Sequence, residues 1–160
     1  MEIETTYETS QYLTFRLDRE LFAVDIGKVR EVLEFTTVTK VPRTPDFMRG
    51  VINLRGNVVP VVDLRLKLGL SQIERTVDTC VVIAEVDVDG ERTLLGALAD
   101  SVQEVLEIEG KQVVPPPRMG TQIDTGVIRG MGKREEEFVI ILDIDKVFSG
   151  EEIKAVAAAS

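Results

Sequence analysis

Two aspartates that follow apolar runs are the residues of this sequence best placed to do chemistry. Asp63 follows the run 58–62, and Asp143 follows the run 138–142. Two carboxylates held in one cleft can act as a general acid and a general base. The two aspartates stand at equivalent places in related segments, however, and this favours a duplicated structural role, the capping of a following helix. The sequence therefore gives little support to catalysis, and we expect a protein that is not an enzyme.

The sequence also gives little support to a metal, a cofactor or a disulfide. It contains no histidine, which is the commonest metal ligand and general base. Cys80 is the single cysteine, so no internal disulfide can form, and its apolar surroundings predict a buried thiol. The acidic stretch 87–91 resembles the start of a calcium loop, but the later acidic ligand would fall in the apolar segment 94–96. We therefore predict a hairpin turn there, and neither a metal nor a cofactor.

Composition and charge narrow the classes of partner. Of the 160 residues, 28 are acidic and 19 are basic, which gives a formal net charge of −9. Such a chain lacks the clustered cations that bind nucleic acid or anionic membrane surfaces. It has no apolar stretch of the roughly 20 residues that a membrane helix needs, and its polar N-terminus shows no signal peptide. We expect a cytoplasmic protein without direct membrane insertion whose partners are proteins.

A segment that occurs twice indicates an internal duplication. Residues 29–42 and 102–115 are identical at seven of fourteen positions without a gap. Three further blocks agree in the same order, and this makes a chance match improbable. These blocks pair 21–23 with 94–96, 50–52 with 126–128, and 58–64 with 138–144.

The duplication predicts an all-β protein of two pseudo-symmetric, five-stranded β-barrels packed together, with few short helices. Short apolar runs recur at the spacing typical of strands in a barrel. We predict one domain over residues 11–150, with halves of about 11–77 and 78–150. Each half is marginal alone, so the two halves should pack against each other. Residues 1–10 are expected to form a flexible tail, and residues 151–160 a tail that is a frayed helix.

Local signals predict individual elements. The alternation at 12–17 is typical of a strand, and 55–57 is expected to connect two strands tightly. A short helix is expected at 64–68, with Gly69 ending it. A helical turn is expected to begin at 44–46, and Val114 opens an extended, proline-rich connection.

Arg55 marks a difference between the two copies. It stands at a strand end beside Gly56, where a tight turn presents the long side chain to solvent. The second copy has no matching cation, and Arg129 beside Gly130 is its nearest approximation. Because the duplication does not account for Arg55, we interpret it as a residue with a function of its own.

The run from Gly50 to Arg65, G-V-I-N-L-R-G-N-V-V-P-V-V-D-L-R, resembles the hallmark of the CheW family of bacterial chemotaxis coupling proteins. Segments 22–26, 29–32 and 100–105 add to the resemblance, which covers about residues 10–150 in the right order. It implies SH3-like barrels, pseudo-two-fold symmetry and no catalytic activity. It also implies an adaptor role in signal transduction, between chemoreceptors (methyl-accepting chemotaxis proteins) and the histidine kinase CheA.

The resemblance further implies where the partners bind. The receptor partner is the cytoplasmic tip, a helical hairpin expected in the groove between the halves, and the kinase partner is the regulatory domain of CheA. The protein would then be cytoplasmic and recruited to membrane-associated receptor arrays. The positions that match the receptor surface are Val29, Glu31, Gly50, Arg55, Val81 and Val105. Those that match the kinase surface are Ile26, Glu31, Val114, Arg118 and Met119.

Two alternatives remain open from the sequence. One is a CheW-like scaffold of a non-flagellar chemosensory array, with the same fold and other partners. The other is a small acidic β-barrel enzyme that uses carboxylates, which would require Asp63 and Asp143 in one cleft.

Overall fold

Strands dominate the computed structural model, which describes residues 9–35, 37–88, 90–115, 125–149 and 151–152. Within these ranges the chain forms ten strands and two one-turn α-helices. The first five strands are β1 (Thr9–Leu17), β2 (Glu20–Asp25), β3 (Val29–Glu34), β4 (Met48–Leu54) and β5 (Asn57–Asp63), followed by α1 (Leu64–Lys67). The second five are β6 (Cys80–Val88), β7 (Glu91–Ala99), β8 (Ser101–Glu109), β9 (Ile128–Arg134) and β10 (Glu137–Leu142), followed by α2 (Ile144–Val147). The predicted all-β class is confirmed.

The ten strands form two five-stranded sheets with the same topology. The first barrel has the order β3-β6-β7-β5-β4, and the second barrel has the order β8-β1-β2-β10-β9. Adjacent strands are antiparallel except for β5 with β7 and β2 with β10, which are parallel. Each element of the first repeat therefore has a counterpart in the second.

The two barrels do not coincide with the two halves of the sequence. Residues 11–77 hold β1 to β5, yet β1 and β2 pair with β8 and β10 of the other half. Likewise β6 and β7 pair with β3 and β5. The expected halves therefore describe the repeats, whereas each barrel combines a hairpin from one repeat with three strands from the other.

Each sheet is closed by the chain that follows its edge strand. Thr39 and Val51 exchange two backbone hydrogen bonds of 2.9 and 2.8 Å. Val114 and Met131 exchange an equivalent pair, also of 2.9 and 2.8 Å. The segment after β3 thus pairs with β4, and the segment after β8 pairs with β9. These bridges join the two edges of each sheet and complete the barrels.

The bulges next to these bridges identify the true counterparts in the two copies. In the first barrel the register shifts between Met48 and Gly50. In the second it shifts in the same way between Ile128 and Gly130. Gly50 is therefore equivalent to Gly130, and the sequence match of Gly50 with Gly126 is wrong. A Cβ on Gly130 would lie 2.4 Å from Val113 Cγ1, so this position also needs glycine.

Three apolar clusters hold the protein together. One fills each barrel, and the third, which we call the inter-barrel core, is the largest and joins the two. Its members come from both barrels, among them Leu13, Phe15 and Val24 of the second barrel and Val62, Val82 and Ala97 of the first. The two barrels are therefore one packed unit, as the duplication predicts.

The helix predictions had different outcomes. The helix at 64–68 is confirmed as α1, and Gly69 follows it with φ 87°. At 44–46, where a helical turn was expected to begin, the structure has one hydrogen-bonded turn, in which Met48 N donates to Pro45 O at 2.9 Å, and it does not continue into a helix. Among the described residues, no helix is long and apolar enough to span a bilayer.

Candidate functional site

Asp63 and Asp143 have the capping role that their placement predicts. Asp63 Oδ1 accepts a hydrogen bond of 2.9 Å from Arg65 N at the start of α1, and Asp63 Oδ2 lies 3.3 Å from an Arg49 guanidinium nitrogen. Asp143 Oδ1 accepts one of 3.2 Å from Asp145 N at the start of α2. Each carboxylate thus satisfies backbone N–H groups of its own helix. Within the described residues no group of three or more potential ligands is arranged to hold a metal ion.

The Arg55 and Glu31 side chains form an ion pair on the surface of the first barrel. Glu31 lies on β3, and Arg55 lies in the turn between β4 and β5. Arg55 Nη1 donates to Glu31 Oε1 at 3.3 Å, and Arg55 Nη2 contacts Glu31 Oε2. Such a two-pronged contact fixes the direction of the guanidinium group as well as its position. Glu31 and Arg55, two of the positions that the resemblance assigns to the receptor surface, are therefore partners of each other.

The turn that carries Arg55 holds it in an uncommon conformation. Arg55 has φ 50° and Gly56 has φ 88°, the left-handed values that a tight two-residue hairpin requires. Asn53 Oδ1 supports the turn by accepting a hydrogen bond of 2.8 Å from Gly56 N. The Arg55 side chain is nevertheless 70% exposed. The turn therefore presents a paired but accessible guanidinium group to solvent.

The ion pair shifts both pKa values toward the charged forms. The hydrogen bonds from Arg55 lower the pKa of the Glu31 carboxyl. The same bonds raise the pKa of the Arg55 guanidinium. Both groups are therefore charged at neutral pH, and the pair presents two opposite charges on the protein surface.

The counterpart of Arg55 in the second copy carries the opposite charge. The turn between β9 and β10 places Glu135 at the equivalent position, again left-handed with φ 56°. Arg129, which the sequence suggested as the nearest equivalent, instead precedes Gly130 in the bulge, as Arg49 precedes Gly50. The difference between the copies at this turn is thus a charge reversal on the same backbone.

An apolar rim lies beside the inter-barrel core. Val32 on β3 is opposite Val82, and Val105 on β8 is opposite Leu13. Cross-strand partners point to the same face of a sheet, so both valines face the side on which Val82 and Leu13 form the inter-barrel core. Val32 is 39% exposed and Val105 is 47% exposed. The repeat predicts this pairing of positions, since Val29–Val32 and Val102–Val105 are equivalent in the two copies and were expected to form matching walls of one groove.

Val29 and Val102 continue this rim toward the core. Both are partly buried and pack against the inter-barrel core. Cys80, at the start of β6, is opposite Glu34 on β3, and its thiol also approaches the backbone of Val102 on β8. The end of β3 and the beginning of β8 therefore meet at one residue. Cys80 is half-buried rather than fully buried, and burial raises the pKa of its thiol.

The predicted receptor residues divide into surface and interior positions. Val29 and Val105 lie at the apolar rim, whereas Glu31 is opposite Ile83 and so points to the other face of β3, where it pairs with Arg55. Val81 is 0% exposed and belongs to the interior of the first barrel. Gly50 lies at the bridge that closes that barrel. An effect of Val81 or Gly50 on binding would therefore act through the shape of the barrel.

The predicted kinase residues lie elsewhere. Ile26 is partly buried in a short 3-10 helix, Ile26–Lys28, and packs against the inter-barrel core. Val114 is 47% exposed at the bridge to Met131. Arg118 and Met119 lie outside the described residues. Ile26 thus lies in the link between β2 and β3, Val114 lies beside β9 of the second barrel, and Glu31 is shared with the predicted receptor residues.

Comparisons with known proteins identify the family of the chain. The family model of the CheW-like domain matches residues 11–152. The chemotaxis protein CheW of Klebsiella aerogenes is 35% identical over 146 residues, which cover 91% of this chain and 86% of the relative. The chemotaxis protein CheW of Thermotoga maritima is 33% identical over 140 residues and covers 86% of each chain.

A solved structure has the same fold. The crystal structure of the scaffolding protein TtCheW from Thermoanaerobacter tengcongensis is similar with a TM-score of 0.78, at 32% sequence identity and with 91% of each chain covered. The duplicated barrels, the hallmark run around Arg55 and the family match over nearly the whole chain lead to one conclusion: this protein belongs to the CheW-like domain family of chemotaxis scaffold proteins.

Proposed function

We propose that this protein is a non-enzymatic adaptor that couples the cytoplasmic tip of chemoreceptors to the histidine kinase CheA. The observation that carries the proposal is the exposed Arg55–Glu31 pair, whose Glu31 is the neighbour of the rim residue Val32 along β3. Membership of a family of chemotaxis scaffolds supports it. The protein would act in the cytoplasm, on the inner side of membrane-associated receptor arrays.

The apolar rim fits one face of a receptor helix. Val29 and Val32 come from β3, and Val102 and Val105 come from β8, so the rim has two walls that meet at Cys80. An amphipathic helix binds such a surface through apolar residues spaced three and four apart. Burial of each half-exposed valine stabilises the complex, at roughly 25 cal/mol for each Å² of apolar area covered.

The Arg55–Glu31 pair would fix the position of that helix. A paired guanidinium group keeps unused donors, because arginine has five N–H groups and Glu31 engages only its two terminal nitrogens. A carboxylate or a backbone carbonyl on the receptor can accept from the remaining donors without breaking the pair. The apolar rim would thus supply most of the affinity for the receptor helix, and the ion pair would determine its position along the rim.

The kinase would bind at two places, of which the first borders the apolar rim at Val29. Ile26 presents a partly exposed apolar side chain on a short 3-10 helix, with Glu31 nearby along β3. The connection that begins at Val114 and continues to Arg118 and Met119 is the other proposed contact. Separate surfaces allow one adaptor to hold a receptor and a kinase at the same time.

Binding to two purified partners tests the proposal. We would measure the affinity of the protein for a chemoreceptor-tip fragment and for the CheA regulatory domain. Arg55→Ala should weaken receptor binding about tenfold, because it removes a charge-assisted contact to the receptor helix. Arg92→Ala is the matched control, since Arg92 is 73% exposed and makes only contacts of 3.8 Å. Absence of binding to both partners by the unaltered protein would disprove the adaptor role.

A further inference from the structure

The 3-10 helix that carries Ile26 is connected to both barrels by the ion pairs of one lysine. Lys28 Nζ lies 2.8 Å from Asp145 Oδ2 on α2 and 3.2 Å from Asp87 Oδ2 on β6. Asp145 Oδ1 also accepts a hydrogen bond of 2.9 Å from Asp87 N. Helix α2 follows the second barrel's β10, whereas Asp87 belongs to the first barrel. These three residues, which we call the Lys28 clasp, therefore connect the barrels directly below the 3-10 helix.

The other end of the segment is held as well. Asp25 Oδ1 accepts a hydrogen bond of 2.8 Å from Gly27 N and so caps the 3-10 helix. Asp25 Oδ2 also lies 3.7 Å from an Arg129 nitrogen. Between these two anchors Ile26 packs against the inter-barrel core. The orientation of Ile26 is therefore set by two charged contacts and one apolar contact.

A counterpart of the clasp exists on the opposite side of the pseudo-two-fold axis, with the charges exchanged. Arg65 is the second residue of α1, as Asp145 is of α2. Arg65 reaches Asp18 at 2.5 Å and Asp100 at 2.7 Å. Because the contact occurs in both copies, we interpret the connection of each helix to the neighbouring barrel as a general feature of the fold.

The two clasps differ in how well solvent reaches them. The Arg65 side chain is 7% exposed, whereas those of Lys28 and Asp145 are 30% and 28% exposed. A more exposed ion pair contributes less to global stability, because water and salt screen it. The main effect of the Lys28 clasp is therefore local, on the segment that it holds.

From this geometry we infer that Lys28 is a positioning residue for the kinase contact at Ile26. The inference rests on the proposed function, and it adds a residue that acts without touching the kinase. Loss of the clasp would leave the 3-10 helix with its Asp25 cap alone, so that Ile26 samples more orientations before binding. Holding a contact residue in its bound orientation lowers the entropic cost of association.

Three variants test this inference. Lys28→Met keeps the aliphatic stem and removes the charge, whereas Lys28→Arg keeps a cation. Lys146→Met is the matched control, because Lys146 lies on α2, is 68% exposed and makes one contact of 3.9 Å. For each protein we would measure amide hydrogen exchange at residues 26–29 without a partner. We would then measure affinity for the CheA regulatory domain and for the receptor-tip fragment.

The expected pattern separates positioning from a general loss of stability. Lys28→Met should speed exchange at residues 26–29 and weaken kinase binding by about fivefold, and receptor binding should weaken less, because Val29 is the one rim residue that borders this segment. Lys28→Arg should keep both the slow exchange at residues 26–29 and the kinase affinity of the unaltered protein. Lys146→Met should also match the unaltered protein. If Lys28→Met is poorly folded, the double variant Asp87→Ala/Asp145→Ala removes both acidic partners of Lys28 and should give the same pattern.

Two outcomes would overturn the inference alone. Unchanged exchange at residues 26–29 would show that the clasp does not hold the segment. Faster exchange with unchanged kinase affinity would show that the clasp serves only stability. Failure of the unaltered protein to bind the kinase would instead overturn the proposed function, and the inference with it.

Discussion

Gly50 lies so close to Thr39 that a Cβ on the glycine would stand 2.2 Å from the Thr39 carbonyl oxygen. Gly50 also has φ 144°, a value that other residues rarely adopt. The close approach exists because Thr39 bonds to Val51 and closes the first barrel. The requirement for glycine at this position of the family hallmark is therefore explained by barrel closure.

Gly50→Ala should consequently destabilise the protein by about 2 kcal/mol or more, the cost of a forced backbone shift in a packed region. Urea denaturation measures this change. Gly56→Ala is the matched control, because Gly56 also has a positive φ of 88° but a Cβ added to it would meet no atom within 4 Å. Gly56→Ala should cost only about 1 kcal/mol, the penalty of the left-handed conformation. Equal losses in the two variants would show that the clash with Thr39 is unimportant.

Arg65→Met should destabilise the protein by about 2 kcal/mol, since it removes an ion pair with Asp18 and a charge-assisted hydrogen bond to Asp100 from a nearly buried site. Thermal and urea unfolding measure the loss. Arg92→Met should change stability by less than about 0.5 kcal/mol, because its side chain is 73% exposed and its contacts are 3.8 Å long. A loss for Arg92→Met as large as that for Arg65→Met would contradict this account.

The pKa of Glu31 should rise toward its ordinary value in Arg55→Ala, because hydrogen bonds from Arg55 lower it in the unaltered protein. Because the pKa of Glu31 is lower in the folded than in the unfolded state, the pair stabilises the protein at pH values above the ordinary glutamate pKa. This contribution is lost as the pH falls through the lowered folded-state pKa. NMR titration of the Glu31 carboxyl checks the shift. An identical Glu31 pKa in both proteins would show that the pair does not persist in solution.

Val105→Asp should weaken binding of the receptor-tip fragment by about tenfold or more, because it places a charge against the apolar face of the helix. The stability of the free protein should change little, since Val105 is 47% exposed. Val77→Asp is the control on a loop, where the side chain is 98% exposed, and it should bind normally. Normal binding by Val105→Asp would remove the β8 side of the rim from the proposed receptor surface.

The sequence predicted the strands well, because their signals are local. Apolar runs bounded by turn residues located β1, β4, β5 and β6, and the aspartates after β5 and β10 identified the helix caps. The exchange of hairpins between barrels was not predictable in this way. Which strand β2 pairs with depends on residues more than a hundred positions away, and no local pattern records that choice.

The site was predicted unevenly for a similar reason. The hallmark run selected Arg55 and Glu31 without indicating that they pair with each other across 24 positions. Val81 and Val82 point to opposite faces of β6, but both faces are buried, so an alternating pattern could not show that Val81 lies inside the barrel. The sequence alignment matched Gly50 with Gly126, whereas the bulge in β9 shows that Gly130 is its counterpart.

The exchanged hairpins have a consequence for the origin of the fold. In a single repeat on its own, the β1–β2 hairpin would be separated from the three strands that follow it. The hairpin and the three strands would complete a five-stranded sheet by exchanging hairpins with a second copy. Two such molecules would form a swapped, symmetric dimer whose population depends on concentration. Fusion into one chain makes the same assembly independent of concentration. It also frees the two copies to diverge, so that one hairpin tip now carries Arg55 and the other Glu135.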